Sequence, residues 1–429
     1  MNPPRETPPA PGKPRAPTRP RTRPCSITVT GVGMHDGERC AVRISPAHAG
    51  EGRYFVRSSG SDLQEYLERT AGDDEGAAVD ALLGEESEVE EGRTNLEAFY
   101  EYLSEQELTG YKGTFEEWAQ EQGMAHLSAG LKELHQRFAE ERDPPASPDA
   151  SLPRIAATAE NAAEAGAHRA TLRAGGHEVH GAEHLLAALE ACGVDNACVE
   201  VEGGAEVPML DGAALGWTDL VHRVGLVDAA TRDGGTLPRT RPVVGRPVHV
   251  TGDGGAFMSF LPGGGEAVIS AGVAWAEGAS PVGKVWTAWS ADRGEHFRFE
   301  VAPAKTCLPD YTEYKRLRKD GLYRAATERQ LAVGLGFERW SNPDDVTFLE
   351  DEPSRHKVID VLGDLSLLAA GGNSGLPRGH VVAWQADHAL AARFVRELAE
   401  AVEGDEPYEE RALLSEEEAQ KRIQMTRQI

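Results

Sequence analysis

Apolar and polar positions alternate in "SITVTGVGMHDGERCAVRISPA", on both sides of a glycine-rich centre. This pattern predicts a β-hairpin with Gly31, Gly33 and Gly37 as turn residues, and "GRYFVRSS" reads as a further strand. From 61 to 150 the period changes. "DLQEYLERT", "NLEAFYEYLSEQELTG", "TFEEWAQEQ" and "AGLKELHQRFAEERD" have helical spacing under dense charge, closed by the linker "DPPASPDAS". Strand patterns resume at "RIAATAEN" and "HRATLRAGGHEVHGAEH". The helix "AEHLLAALEACG" follows, with Leu185, Leu186 and Leu189 as its apolar side and Gly193 as its stop. "NACVEVEGG" is the next strand, and "VPMLDGAALGWTDLVHRVGL" begins as a loop and ends as a helix. The polar, Gly- and Pro-containing "DAATRDGGTLPRT" marks a domain boundary.

The second half repeats the plan. Strands are expected at "RPVHVTG", "AFMSFLP", "AVISAGVAW" and "HFRFEVAP", then "YTEYKRLRKDG", the helix "SRHKVIDVLGDLSLLAA", the strand "GHVVAWQ" and the helix "DHALAARFVRELAEAVEG". The expected class is α+β, with two similar domains over 25–230 and 240–403. The first is interrupted by an acidic helical insertion at 61–150. A Pro/Arg-rich tail (1–24) precedes them and an acidic helix or tail (404–429) follows.

Charge sharpens this division. Of a net charge of −26, the segment 61–150 carries most, with 24 acidic and 6 basic residues. The overall sign argues against a general affinity for nucleic acid. The milder remainder leaves room for a basic pocket that takes an anionic ligand. The insertion reads as a solvated lobe, or as a protein-docking surface that uses the aromatics of "FYEYL" and "FEEW". No apolar run reaches membrane-spanning length, so no transmembrane segment is expected. Five scattered cysteines without a Cys-x-x-Cys suit a reducing, cytoplasmic setting.

The candidate chemistry lies in two clusters at the starts of apolar helices. In "PSRHKVIDVLGDLSLL", His356, Asp360 and Asp364 fall four residues apart, on one helical face, with Lys357 beside the first. A His and a carboxylate one turn apart can share a divalent ion, and a catalytic zinc needs about three protein ligands and an open position. His184 in "GAEHLLAAL" could be the third. Its neighbour Glu183 would then stand beside the metal as a general base.

The same segments resemble the zinc-dependent UDP-3-O-acyl-N-acetylglucosamine deacetylases of lipid A biosynthesis. The matching pieces are "TGVGMHDG", "VHGAEHLLAAL" with "VDNACVEV", "VPMLDGAA", "AKT", "RHKVIDVLGDL" and "QADHALA", in the family's order and across both halves. The resemblance implies helices packed between two sheets and a Zn²⁺ cofactor held by His184, His356 and Asp360. It implies Glu183 as the base, Thr306 on the scissile carbonyl oxygen, and Lys357 facing the diphosphate of an acylated UDP-N-acetylglucosamine. His388, rather than the strand-start His380, takes the place of the family's last histidine. Asp364 would pair with His388 and keep it charged. An apolar passage for the acyl chain is expected between "WTAWS" and the "YKRLRKDG" helix.

Four features depart from the family pattern. Asp387 stands where Gly is common, Ala391 where Asn is frequent, Cys307 where an aromatic usually follows the Thr, and "YRAATERQ" in place of a Gly-Gly-Ser stretch. These leave two further readings beside the deacetylase: a paralogous zinc amidohydrolase with another N-acyl substrate, and a non-catalytic scaffold of the same fold.

Overall fold

The computed structural model describes residues 19–58, 62–69, 79–81, 120, 143–146, 152–164, 166, 168–275, 282–291, 297–327, 330–335, 339–341, 346–348 and 350–408. Its first sheet has six strands in the order Val79–Ala81, Ile27–Val32, Arg39–Pro46, Ala197–Gly203, Arg53–Arg57, Arg154–Ala156. The second has five, in the order Val248–Thr251, Phe257–Pro262, Gly379–Trp384, Val268–Ala274, Lys284–Ser290. Each sheet is antiparallel except for one parallel pair, Arg53–Arg57 with Ala197–Gly203 in the first and Val268–Ala274 with Gly379–Trp384 in the second. The expected hairpin is present, with Ile27 opposite Ile44 and Val32 opposite Arg39.

Among the described residues the helices are α1 (Asp62–Arg69), α2 (Glu183–Cys192), α3 (Leu215–Val224), α4 (Phe297–Glu300), α5 (Tyr311–Lys319), α6 (Glu352–Leu365) and α7 (His388–Glu400). α2 packs on α6 and α3. α6 also lies on the strands Val268–Ala274 and Lys284–Ser290, and α7 on Val248–Thr251 and Phe257–Pro262. One buried cluster runs from Ile27, Val42, Phe55 and Val199 of the first sheet, through Leu185, Leu189, Val358 and Leu362, to Met258, Ile269 and Val381 of the second. The two α+β halves therefore share a core with helices between the sheets, as burial of one apolar face per sheet requires.

Buried charge fixes how the halves meet. Glu190, near the end of α2, pairs with Arg53 at 2.7 Å and accepts hydrogen bonds from Ser374 Oγ (2.6 Å) and the Gly375 amide, which follow α6. Gly193 ends α2 in the left-handed region (φ 76°), as the sequence suggests.

Local differences from expectation have tertiary causes. "HFRFEVAP" alternates like a strand but forms α4 and a turn. Phe297 and Arg298 are both buried there, and the Arg298 guanidinium reaches Asp219 on α3, so no two-faced strand survives. α7 ends at Glu400, four residues before the expected Gly404. The chain then becomes the strand Val402–Pro407, which pairs with Thr240–Val244 just after the boundary segment. In "RIAATAEN" only Arg154–Ala156 is extended, and a 3₁₀ turn, Ala159–Asn161, follows. Of the 61–150 insertion, Asp62–Arg69 is helical as expected, whereas "NLEAFYEYLSEQELTG" and most of both "TFEEWAQEQ" and "AGLKELHQRFAEERD" lie outside the described residues. The tail before Arg19 and the segment after Tyr408 also lie outside them.

Candidate active site

Glu183 and His184 open α2, directly after Gly181 (φ 64°) and Ala182. Their placement depends on a glycine of α6. A Cβ on Gly363 would lie 2.2 Å from the Glu183 carbonyl oxygen, so only glycine allows the two helices to cross this closely. The crossing brings His184 of the first half against His356 and Asp360 of the second. The two imidazoles meet edge to face with centroids 4.8 Å apart. Asp360 Oδ1 lies 3.5 Å from His356 Nε2 and 3.7 Å from His184 Nε2. One ligand atom from each of the three residues falls within 4.8 Å of the other two.

Backbone contacts preset the ligand atoms. His356 Nδ1 donates to the Ala304 carbonyl at 2.9 Å, which fixes the tautomer and leaves the Nε2 lone pair for the site. The Ala304–Thr306 segment is itself tied to α6 by Glu352, whose buried carboxylate accepts from the Lys305 amide at 2.7 Å. Thr306 Oγ1 lies between the Gly212 carbonyl (3.1 Å) and His356 Nε2 (3.2 Å).

Protonation follows from burial and neighbouring charge. Burial pushes His356 down to about 4, so it is neutral. Burial would raise Asp360, but Lys357, His356 and His388 outweigh it and hold the carboxyl well below its usual range. Burial would lower His184, but Asp360 and Glu183 raise it, so an ion binding there must displace a proton. Lys357 pairs with Asp360 Oδ2 at 2.7 Å.

His388 begins α7, and Asp387 is the N-cap, its carboxylate accepting from the Leu390 amide at 2.7 Å. The departure at Asp387 thus has a structural purpose, since an N-cap of this type contributes about 1 kcal/mol. Ala391 is buried in the core behind it. His388 Nε2 points at the site, 3.8 Å from Glu183 Oε1 and 3.9 Å from Asp360 Oδ2. The expected pairing of His388 with Asp364 is not formed as a hydrogen bond. His388 Nδ1 and Asp364 Oδ2 are both buried without a partner among the described residues, although both side chains border one small void. Burial, then Asp360 and Glu183, push the Asp364 carboxyl well above its usual value, which opposes its ionisation beside His388. His380 is not a loose surface group either, because its Nε2 lies 2.8 Å from Ser270 Oγ on the neighbouring strand.

Glu183, His184, His356, Asp360 and His388 line one cavity of about 380 Å³, with Lys357 and Thr306 also in its wall. Val273, Trp275, Met34, Met209 and Leu308 form its apolar side. Toward the expected acyl passage, Trp275 packs edge-on against Trp340 at 6.1 Å. Cys307 lines the cavity too. Its thiol donates to the Lys305 carbonyl (3.1 Å), and burial, then Glu352, raise its pKa, so it is a packing group and not a nucleophile. His35, Glu206 and Tyr323 complete the wall. Sequence reasoning quoted His35 only within "TGVGMHDG"; a histidine inside a glycine-rich turn was the available signal.

The set fits zinc. Two imidazoles and a carboxylate are a catalytic zinc donor combination, and ligands at about 2.0–2.1 Å in a tetrahedron stand roughly 3.4 Å apart, close to the two carboxylate–imidazole separations. The buried Asp360 Oδ1 has no hydrogen-bond partner among the described residues, which a cation there would supply.

A family model, UDP-3-O-acyl N-acetylglycosamine deacetylase (LpxC), matches residues 146–400, a stretch that contains every site residue named above except Met34 and His35. The chain belongs to this family. Among family relatives, the chain is 35% identical over 223 residues to the probable UDP-3-O-acyl-N-acetylglucosamine deacetylase 1, mitochondrial, of Arabidopsis thaliana. That match covers 50% of this chain and 66% of the Arabidopsis protein, just under two thirds of its length. It is 37% identical over 219 residues to the UDP-3-O-acyl-N-acetylglucosamine deacetylase of Trichormus variabilis, covering 50% of this chain and 71% of that one. Against the Synechocystis protein of the same name the identity is 34% over 230 residues, covering 52% and 75%.

Proposed function

We propose that the protein is a zinc-dependent deacetylase that hydrolyses the N-acetyl group of UDP-3-O-(3-hydroxyacyl)-N-acetylglucosamine, releasing acetate, in lipid A biosynthesis. The reading rests on one observation above the rest: imidazoles from both halves and one aspartate converge in a cavity beside a second, unshared carboxylate, that of Glu183.

His184, His356 and Asp360 would hold the metal. Bound zinc would polarise the acetamide carbonyl and lower the pKa of the attacking water. Glu183, oriented by the Ala170 amide at 3.2 Å, takes the water proton. Thr306 donates to the oxygen that becomes negative. His388 protonates the departing amine, so water and amide become acetate and free amine. Asp364 acts behind His388 as a positioning residue. Lys357, already near Asp360, faces the substrate diphosphate. The apolar wall with Val273 and Trp275 takes the start of the acyl chain.

The reaction is assigned to the cytoplasm because all five cysteines are free thiols, as a reducing compartment requires. The Arabidopsis relatives are named mitochondrial, so localisation of the tagged full chain decides this point. No helix of the described residues is long and apolar enough to cross a membrane. For the 61–150 insertion both readings stand, a solvated lobe or a protein-docking surface, and binding assays on a protein lacking it separate them.

Cys307 and the "YRAATERQ" segment favour, as second reading, an amidohydrolase of another N-acyl substrate. Metal analysis with acetate release from acylated and non-acylated UDP-N-acetylglucosamine separates the readings. The first requires one zinc per chain and preference for the acylated substrate. Zinc with turnover of neither nucleotide sugar supports the second, and an inert, metal-free protein the scaffold.

A further inference from the structure

Three residues other than glycine have positive φ among the described residues, Leu210, Tyr323 and Gln385, and two of these line the catalytic cavity. Tyr323, at φ 51°, is the bulkiest. An aromatic residue in the left-handed region is strained and persists only where its surroundings over-determine it. It lies in the "YRAATERQ" segment that departs from the family pattern.

The surroundings do hold it. Tyr323 is 4% exposed, and its ring stands edge-on to His35 with centroids 4.4 Å apart. Its own amide donates to His35 Nδ1 at 3.4 Å, while the His35 amide donates to the Glu206 carboxylate at 3.0 Å. Burial pushes His35 down to about 3, so the imidazole is neutral and its Nδ1 accepts. Ring and backbone are thus clamped by the hairpin turn of the first half.

The hydroxyl is not part of this clamp. A buried tyrosine O–H normally finds an acceptor; no hydrogen bond of the Tyr323 hydroxyl is seen among the described residues, and the side chain, packed with Met34, Met209 and Leu308, also lines the cavity. Tyr323 shares the cavity wall with Glu183, Asp360 and Glu206. Burial, then Asp360 and Glu183, raise its pKa, so the group is a donor throughout the working range. A strained backbone, a fixed ring and a phenol on the wall of the cavity that holds the metal-site carboxylates describe a group held ready for a ligand.

We propose that Tyr323 is a further catalytic residue, its hydroxyl donating a hydrogen bond to the acetamide oxygen of the bound N-acetylated sugar and more strongly to the oxyanion formed from it. This rests on the deacetylase reading above. It would act together with Thr306, which lines the same cavity.

The test is Tyr323→Phe, which keeps ring and volume. Since no hydrogen bond of the hydroxyl is seen among the described residues, melting temperature and zinc content should be unchanged. kcat/KM for acetate release should fall about 100- to 1000-fold, mainly in kcat, as for loss of an oxyanion donor. In a Glu183→Ala background that prevents turnover, calorimetry should show UDP-N-acetylglucosamine binding weakened about 3- to 10-fold. If the wild type binds this probe but releases no acetate from the acylated UDP-N-acetylglucosamine, and Y323F binds the probe more weakly, the deacetylase reading fails and the Tyr323 contact stands. Unchanged kinetics and binding in Y323F, a lowered melting temperature that reveals an internal hydrogen bond, or no binding of the probe by either protein overturns the proposal.

Discussion

Gly363→Ala should separate the site from the stability of the fold. The added methyl would begin 2.2 Å from the Glu183 carbonyl oxygen, 2.9 Å from its carbonyl carbon and 3.0 Å from its Cα. All three are backbone atoms, so no side-chain rotation relieves the clash, and α2 must retreat from α6 by about 1 Å to reach ordinary contact. Overpacking of this kind costs about 1–3 kcal/mol. Alanine in place of a mid-helix glycine returns roughly 1 kcal/mol, so the net destabilisation should be about 0–2 kcal/mol and the protein should fold. The site lacks that tolerance. His184 rides on α2 while His356 and Asp360 ride on α6, and a misplacement of about 1 Å at reacting groups costs on the order of 100-fold in rate. Urea unfolding, zinc titration and acetate release on one preparation give the three quantities. A G363A protein with wild-type zinc affinity and turnover would refute the argument that this helix crossing assembles the site.

Glu190→Ala removes one partner of a buried pair and should cost about 3–5 kcal/mol in urea unfolding, because Arg53 is left charged in the core. Burial opposes ionisation of Glu190, but Arg53, then Ser374, hold its pKa below the usual value. Its contribution should therefore be complete above the unfolded pKa near 4.5 and disappear as pH falls through the folded one. His35 has the opposite logic. Its folded pKa of about 3 lies below the unfolded value of about 6.5, so the unfolded chain binds the extra proton between them and stability should rise with pH across that window. His35→Gln should flatten that slope by up to about 1.4 kcal/mol per pH unit in pH-dependent denaturation. Asp387→Ala should cost about 1 kcal/mol in a thermal melt and leave zinc content unchanged, since the side chain caps α7.

Much of this was legible in the chain. The 3.6-residue periods around Leu185–Leu189 and Val358–Leu365 located α2 and α6, and the clusters at their starts located the site. The hairpin was readable from alternation and glycine. What was not readable depends on contacts between distant segments. Arg298 looked like the polar position of a strand until Asp219 gave it a buried partner. Val402–Pro407 has no strand pattern of its own and is extended because Thr240–Val244 offers an edge. Asp364 was expected as an anion beside His388; burial beside Asp360 and Glu183 pushes its carboxyl upward, an effect no spacing encodes. Gly363 inside "VLGDL" was a usable sign, because an isolated glycine in a helical pattern marks close approach of another backbone. Tyr323 left no sign, since its conformation is set by His35, far away in the chain.

The central claim is that His184 from one half and His356 with Asp360 from the other bind a single zinc ion. Anomalous diffraction at the zinc edge on crystals of the zinc-loaded full chain tests it most directly. The expected result is one strong peak about 2.0–2.2 Å from His184 Nε2, His356 Nε2 and an Asp360 carboxylate oxygen, with no fourth protein ligand. A peak elsewhere, or one coordinated by four protein side chains, would contradict it.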